Sequence, residues 1–423
     1  MVEIRQPVWT NAEDAPPLPE GWHSLPTAEA CIQLKPGKLF NSRTVFESGS
    51  IPVLNQSETG FLGYHDEEPG VTASPEAPVV TFANHTCAMR LMKQPFSSIQ
   101  NIFPKVGKPG VTETVYFYYA SLGRVGLSDY KGHHPVFRKA HIPIPPLPIQ
   151  RRIAGILSAF DDLIENSQRR IKILEEMARR LYREWFVHFR FPGHEGCRFV
   201  DSPLGGIPEG WEAVDLGTVC LNPKGIQTGP FGSQLHESDY SAEGVPVVMP
   251  KDLIDYRIRV QGAAFIPEET ADRLDRHRMQ SGDIVYGRRG DIGRRAFIMP
   301  HQVGWLCGTG CLRIRPNPQL VDPWYLFNAL GQDDVVALIR GRAQGVTMPN
   351  LNTSLLESVP LRLPPSNLQC QFSALSYPLA TARENLSATI DNLRRTRDLL
   401  LPRLLSGQID VEALPEPTLQ EVS

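Results

Sequence analysis

The sequence predicts an α+β protein with an internal pseudo-two-fold repeat: two mixed α/β domains joined by two long antiparallel helices that form an intramolecular coiled coil. Three observations lead there. Leu18-Pro19-Glu20-Gly21-Trp22 returns as Ile207-Pro208-Glu209-Gly210-Trp211, and the register holds at an offset of 189 as far as Cys31 and Cys220. Pro145-Pro146-Leu147-Pro148-Ile149-Gln150 returns as Pro364-Pro365-Ser366-Asn367-Leu368-Gln369, at an offset of 219 that also maps Glu165-Asn166 onto Glu384-Asn385. Each second phrase leads into an apolar stripe of helical period. A repeat of this length is a duplicated domain, not a solenoid of short units.

Taken in order, residues 1–149 form a first domain, 150–190 a long helix, 191–368 a second domain, 369–407 a second long helix and 408–423 a flexible tail. Gly21-Trp22 and Gly210-Trp211 read as packing anchors where each domain begins. Short apolar runs bounded by Gly, Asp and Pro, such as Val79-Val80-Thr81-Phe82, Ile284-Val285-Tyr286 and Ala296-Phe297-Ile298, read as buried strands. The proline-rich stretch from Ile142 to Pro148 recurs before the second helix, which makes it a domain-to-helix hinge rather than a polyproline ligand.

Along the first helix Ile153, Leu157, Phe160, Ile164, Ser167, Ile171, Leu174, Ala178, Leu181 and Trp185 alternate spacings of four and three, the seam of a coiled coil. A helix of that length is a rod of ~50 Å. The offset of 219 carries the stripe to Leu386, Ile390, Leu393 and Leu400, with Arg383 and Arg397 also on it. Pro378 places the start of the second helix, or a kink, near that residue, and Pro402 ends or bends it. The two stripes within one chain pair most economically with each other, antiparallel, which makes the helices a ruler between two domains.

Composition excludes several classes. The 423 residues allow two or three cored domains. A charged fraction of 21% and a hydrophobic fraction of 41% are those of an ordinary globular protein, expected in the cytoplasm, with no apolar run long enough to span a membrane. The seven cysteines form no C-x-x-C pair, so neither a disulfide framework nor a zinc ribbon is indicated, and Cys31 and Cys220 read as buried apolar residues. His133-His134 and the group His188, His194, Cys197 match no familiar metal spacing. There is no phosphate-binding Gly-x4-Gly-Lys-Ser/Thr loop and no Asn/Asp-Pro-Pro-Tyr/Phe pocket for a flipped adenine, so no catalytic residue is assigned. The net charge of −3 argues against a wholly basic surface, but residues 251–315 carry twelve Lys and Arg and allow a local basic face.

The order of parts resembles the specificity subunit of type I restriction-modification systems. The phrases that carry the resemblance are Pro145 to Ile153 and Leu401-Pro402-Arg403-Leu404-Leu405-Ser406-Gly407, together with Gly225 to Leu235, Gly282 to Gly293 and Gly308-Thr309-Gly310-Cys311 in the second domain. It covers nearly the whole chain, and order and duplication make it specific. One departure is that Ile149 and Leu368 precede the helix-opening glutamines, where the family usually has Glu. The resemblance implies two target-recognition domains, each reading half of a bipartite, gapped double-stranded DNA site, with the helices setting the spacer. It further implies two modification subunits that carry S-adenosylmethionine and methylate adenine, and restriction subunits that use ATP and Mg. The chain itself would hold no cofactor, do no chemistry and touch no membrane. The DNA contacts expected are Gln227, Thr228, Gly229, Ser233 and Gln234 in glycine-rich loops, and Arg288, Arg289, Arg294 and Arg295 for phosphate or guanine. In the first domain they are Asn84, His85, Thr86 and Lys93. A coiled-coil scaffold for proteins, a stand-alone enzyme and a subunit of a methylation-only system are the alternatives.

Overall fold

The computed structural model describes residues 17–127, 132–232, 234–343 and 350–414. The chain divides into two compact units. Unit 1 is Met1–Arg170 with Leu386–Ser423, and unit 2 is Ile171–Asn385. The division runs through both long helices, so each unit contains one globular part plus a segment of each helix, whereas the sequence reading had set the helices apart from the domains.

Unit 1 runs β1 (His23–Pro26), α1 (Thr27–Ala30), β2 (Cys31–Gln33), β3 (Ile51–Leu54), β4 (Gly63–His65), β5 (Val79–Ala83), β6 (Met89–Met92), β7 (Ser97–Ser98), β8 (Ile102–Gly107), α2 (Thr114–Ser121), α3 (His134–Lys139), β9 (His141–Ile144) and the first part of α4 (Leu147–Tyr182). Its sheets are β2-β8-β5-β6, β4-β3-β7 and β1-β9. All five residues of β5 are buried, as a β-branched and aromatic run flanked on both edges requires. Ile142 to Ile144 belong to β9 and pair with β1, so the proline-rich stretch is half strand, and only Pro145-Pro146 link it to the helix.

Unit 2 continues through β10 (Phe199–Val200), β11 (Ile207–Pro208), β12 (Glu212–Asp215), β13 (Ile226–Thr228), β14 (Val245–Val248), β15 (Leu253–Ile254), β16 (Arg257–Ile258), β17 (Ala264–Ile266), α5 (Glu268–Arg273), β18 (Ile284–Gly287), β19 (Arg295–Phe297), β20 (Leu306–Cys307), β21 (Cys311–Ile314), α6 (Pro323–Ala329), α7 (Asp333–Arg342), α8 (Thr353–Glu357), β22 (Pro360–Leu363) and α9 (Ser366–Leu405). Its sheets β13-β21-β18-β19, β17-β14-β20 and β12-β22 repeat those of unit 1 strand for strand. The middle strand of each three-stranded sheet is antiparallel to one neighbour and parallel to the other in both units. The repeat seen in the sequence is therefore a repeat of topology.

The Gly-Trp phrases are equivalent turns. Gly21 and Gly210 both adopt φ near +80°, at +79° and +86°, and the following Trp22 and Trp211 amides donate to Pro19 and Pro208 carbonyls at 3.1 and 3.0 Å. Each proline phrase ends in a buried clamp. Gln150 donates from Nε2 to Pro145 O (2.7 Å) and Val111 O, and its Oε1 accepts from the amide of Glu113, the N-cap of α2. Gln369 donates to Pro364 O (2.7 Å), and its Oε1 accepts from the amide of Asp322, the N-cap of α6. Two turns of chain and one short helix are thus locked to the root of each long helix. That explains why the same phrase occurs twice.

The helices run antiparallel in each unit. In unit 1 Ile153, Ala154 and Leu157 share a core with Leu401, Leu404 and Leu405, and further along Asp161 pairs with Arg397. In unit 2 the Phe372 ring lies 5.6 Å from Tyr182 and 5.1 Å from Phe186, and Arg383 lies 3.5 Å from Glu175. The two arginines on the second stripe are therefore cross-helix ion-pair partners. Ile164 and Ile390 are buried, while Phe160, Ile171, Leu174, Leu181, Leu386, Leu393 and Leu400 are half-buried on the same stripes.

Three boundaries differ from expectation. The helices begin at Leu147 and Ser366, three residues before the glutamines, because a proline is tolerated in a first turn. α4 ends at Tyr182 and continues as a wider π-helical turn, Arg183–Val187, that swings Trp185 and Phe186 into the core. α9 passes through Pro378 and Pro402 without a break; Pro378 and Ala374, whose carbonyl loses its partner, lie on the exposed face, where that carbonyl is open to solvent. The expected flexible tail is packed over its described part: Val411 is buried in the unit 1 core, and Arg152 donates to the Leu414 carbonyl.

Candidate nucleic-acid interface

The phrases singled out in the second domain converge at one end of the four-stranded sheet. β13 leaves at Thr228, opposite Leu312; β18 leaves at Gly287, opposite Cys311; the β18–β19 hairpin returns at Arg295. Gly229 N–H donates to Cys311 O (3.1 Å), and Gly308 N–H to Val248 O (2.9 Å). A Cβ on Gly229 would collide with the carbonyl of Gly308, so these loops meet backbone to backbone and glycine is required there. Gln227, Thr228, Gly229, Arg288, Arg289 and Arg294 are brought to this one end.

The equivalent end of unit 1 holds Asn84, His85 and Thr86 in the β5–β6 hairpin. The His85 amide donates to Gln56 Oε1 (3.0 Å) and the Thr86 hydroxyl to Gln56 O. Arg90 braces the neighbouring loop through Asn55 Oδ1 and the Gly60 carbonyl, at 3.0 and 2.6 Å. Lys93 follows Met92 at the other end of that hairpin and is paired with Asp162 of α4 at 2.8 Å, so it does not join the cluster.

Burial sorts the expected arginines. Arg288 donates to Asn350 Oδ1 and Leu351 O, both at 3.2 Å, and Arg295 lies between the rings of Tyr256 and Phe327, 4.7 and 5.1 Å from their centroids. Both are about 7% exposed, and desolvation lowers the pKa of each. Carbonyl acceptors and aromatic faces compensate these buried charges, which are spent inside the fold and out of reach of a phosphate. Arg313 is likewise buried, donating to the carbonyls of Arg276 and Lys224 and to Gln227 Oε1. Gln227 is thus engaged by an arginine that sequence reasoning counted as surface charge. Arg315 is paired with Asp283, Arg278 with Glu268 and Asp272, and Arg294 with Asp291. Arg289 is exposed at the hairpin end, where its backbone bridges Asn350, and among the described residues its side chain has no hydrogen-bond or ion-pair partner. Gln234 is half-buried and accepts from Arg273 through its carbonyl (3.0 Å), and Ser233 lies outside the described residues.

Among the described residues no group of three His, Cys, Asp or Glu is arranged to hold a metal, and no helix is long and apolar enough to cross a membrane. His133 bonds the Asn84 carbonyl and His194 the Phe191 carbonyl. Of the two repeat cysteines, Cys220 is buried with its thiol pushed up to about 12 by desolvation, and Cys31 is half-buried.

The fold and this pair of loop clusters define a duplicated protein in which equivalent domains carry divergent loops. The family profile described as "Type I restriction modification DNA specificity domain" matches residues 96–176 and 208–374. The chain therefore belongs to that family and is a specificity subunit of a type I restriction-modification system. It is 26% identical over 339 residues to the "Type I restriction enzyme MjaIX specificity subunit" of Methanocaldococcus jannaschii, covering 77% of this chain and 75% of that protein. It is 24% identical over 293 residues to the MjaVIII specificity subunit of the same organism, covering 66% of this chain and 64% of that one. The fold matches the crystal structure of a type I S subunit from M. genitalium with a TM-score of 0.63 at 17% identity, over 91% of this chain and 96% of that one.

Proposed function

We propose that each unit reads one half of a bipartite double-stranded DNA site through the loops at the end of its four-stranded sheet, while α4 and α9 set the unspecified spacer. The observation that carries this reading is the strand-for-strand repeat of the two units with different residues in the equivalent hairpins, 84–88 and 288–294. One scaffold with two divergent loop sets is what an asymmetric target calls for. The chain supplies the address and no chemistry. Two modification subunits would bring S-adenosylmethionine, and restriction subunits ATP and Mg. Ile173 and Met177, one turn apart on α4 and at least half exposed, offer apolar surface for such a subunit.

The test is methylome sequencing of a methylation-free host that expresses the chain with its modification partner, beside the partner alone. A gapped adenine-methylated motif that depends on the chain is the expected outcome. No motif despite co-purification would mean a degenerate or differently partnered subunit, and no association would favour a protein scaffold. Inserting one heptad within residues 160–180 of α4 and another in the facing stretch of α9 adds ~10 Å of rod. The spacer should lengthen by about three base pairs with both half-sites kept; an unchanged spacer removes the ruler.

A further inference from the structure

The two hairpins differ in length but share the hydrogen bonds at their first residue, and this singles out one residue in each. Asn84 and Arg288 both stand two residues after the last paired aromatic of the outgoing strand, Phe82 and Tyr286. The Asn84 amide donates to Asn101 O (2.9 Å) just before β8, and the Arg288 amide donates to Gly310 O (3.0 Å) just before β21. The Asn84 carbonyl accepts from the His133 amide at 3.0 Å, and the Arg288 carbonyl from the Leu351 amide at 2.9 Å. Even the side chains reach the same segment, Asn84 Oδ1 accepting from the His134 amide and Arg288 Nε donating to Leu351 O. Asn84 and Arg288 are therefore the same inward anchor made with different chemistry.

The next residue along, His85 or Arg289, occupies the equivalent outward position, and both are exposed. In unit 2 the hairpin beneath it is braced by several bonds. Gly287 N–H bonds Arg294 O (2.8 Å), Arg340 donates to Ile292 O (2.7 Å), and Arg294 and Arg340 both hold Asp291. Asp291, the acid nearest in sequence, is thus already neutralised, and Gly290 beside Arg289 at φ +74° faces open space. Among the described residues no acceptor engages the Arg289 guanidinium, which stands on a braced base. Its five donors match the paired O6 and N7 acceptors of guanine in the major groove.

Resting on the reading that each unit contacts half of the site, we propose that Arg289 is the base-reading residue of unit 2, specific for a guanine, and that His85 holds the corresponding position in unit 1. The charged position makes unit 2 the reader of a G·C pair. His85 carries an imidazole in place of the two-pronged guanidinium fork and gives a weaker preference at the matching pair.

The experiment uses the full chain assembled with its modification partner and compares wild type, Arg289→Ala and Lys93→Ala by methylome sequencing and by binding to DNA variants at two salt concentrations. Arg289→Ala is expected to lose roughly 10- to 100-fold discrimination at one G·C pair of one half-site, with the other positions, the spacer and the salt slope of the remaining pairs unchanged. Lys93→Ala, which removes a cation paired with Asp162 away from the loop cluster, should keep the full motif. A uniform loss at all sequences with a shallower salt slope would mean a phosphate contact and overturn the assignment, as would an unaltered motif. A wild-type complex that methylates no gapped motif would instead sink the half-site reading on which the assignment rests.

Discussion

The two units share a four-stranded, a three-stranded and a two-stranded sheet but hold their reading hairpins with different side chains. In unit 1 a neutral asparagine anchors the hairpin, and in unit 2 a buried arginine does the same task, while the backbone bonds around them are the same. The difference teaches that topology fixes the backbone acceptors and donors, and any side chain long enough to reach them serves. Recognition loops can then diverge without cost to the scaffold. The long-helix roots show the opposite behaviour: both use glutamine, because only an amide of that length both donates to the proline carbonyl and accepts from the N-cap amide.

The largest test of this contrast lies at the roots. Phe372 and Ile153 are related by the repeat and both are fully buried. Phe372→Ala should destabilise unit 2 by about 3–5 kcal/mol and Ile153→Ala unit 1 by about 2–5 kcal/mol, each read in chemical denaturation as a shift of one transition more than the other. A single shared transition that moves equally for both would show that the units unfold together.

Smaller effects should follow from the clamps. Gln369→Leu strands a backbone N–H and one carbonyl, and Gln150→Leu an N–H and two carbonyls, each at a cost of about 1–3 kcal/mol. Near-equal losses in calorimetry would confirm that the clamps are equivalent; a loss confined to one would break the symmetry.

Acid provides the next comparison. His134 stacks on Phe103 with centroids 3.7 Å apart, and burial, reinforced by Lys105 and Arg138, pushes its pKa down to about 4. In unit 2 His277 is pushed down to about 4 by burial and then by Arg276. Both values lie below the ordinary 6.5, so between pH 6.5 and 4 the unfolded chain binds protons that the folded chain refuses. The contribution is full above pH 6.5 and is lost as the pH falls toward 4. His134→Phe should flatten that slope for unit 1 alone, measured as denaturation midpoints at pH 7.5, 6 and 5. The smallest effect belongs to Lys93→Ala, which removes an exposed ion pair and should change stability by less than about 0.5 kcal/mol and leave DNA affinity unaltered.

Much of the architecture was legible because the chain repeats itself. The 189 and 219 offsets located two domains and two helices, and the apolar stripes marked their inner faces, since a period near 3.6 has no other use than a buried helix face. The glycine-rich phrases of unit 2 were found for a good reason as well, since backbone-to-backbone contact leaves no room for Cβ.

The arginines were not legible, because Arg288 and Arg289 are adjacent and chemically identical in the sequence. What separates them is a carbonyl from Leu351 and an amide oxygen from Asn350, both more than sixty residues away. Arg295 was misjudged for the same reason, because its acceptors and rings come from residues 256, 293 and 327.

By itself, then, the sequence determined the duplication, the two helical stripes and the family. These depend on spacing and order, which the chain carries locally. The tertiary structure alone decided which charges are inside and which remain free, that α9 runs through Pro378, and that the last described residues pack on unit 1. Each of these turns on distant groups: whether a partner arrives to satisfy a guanidinium, whether an orphaned carbonyl faces water, and whether a core has room for Val411.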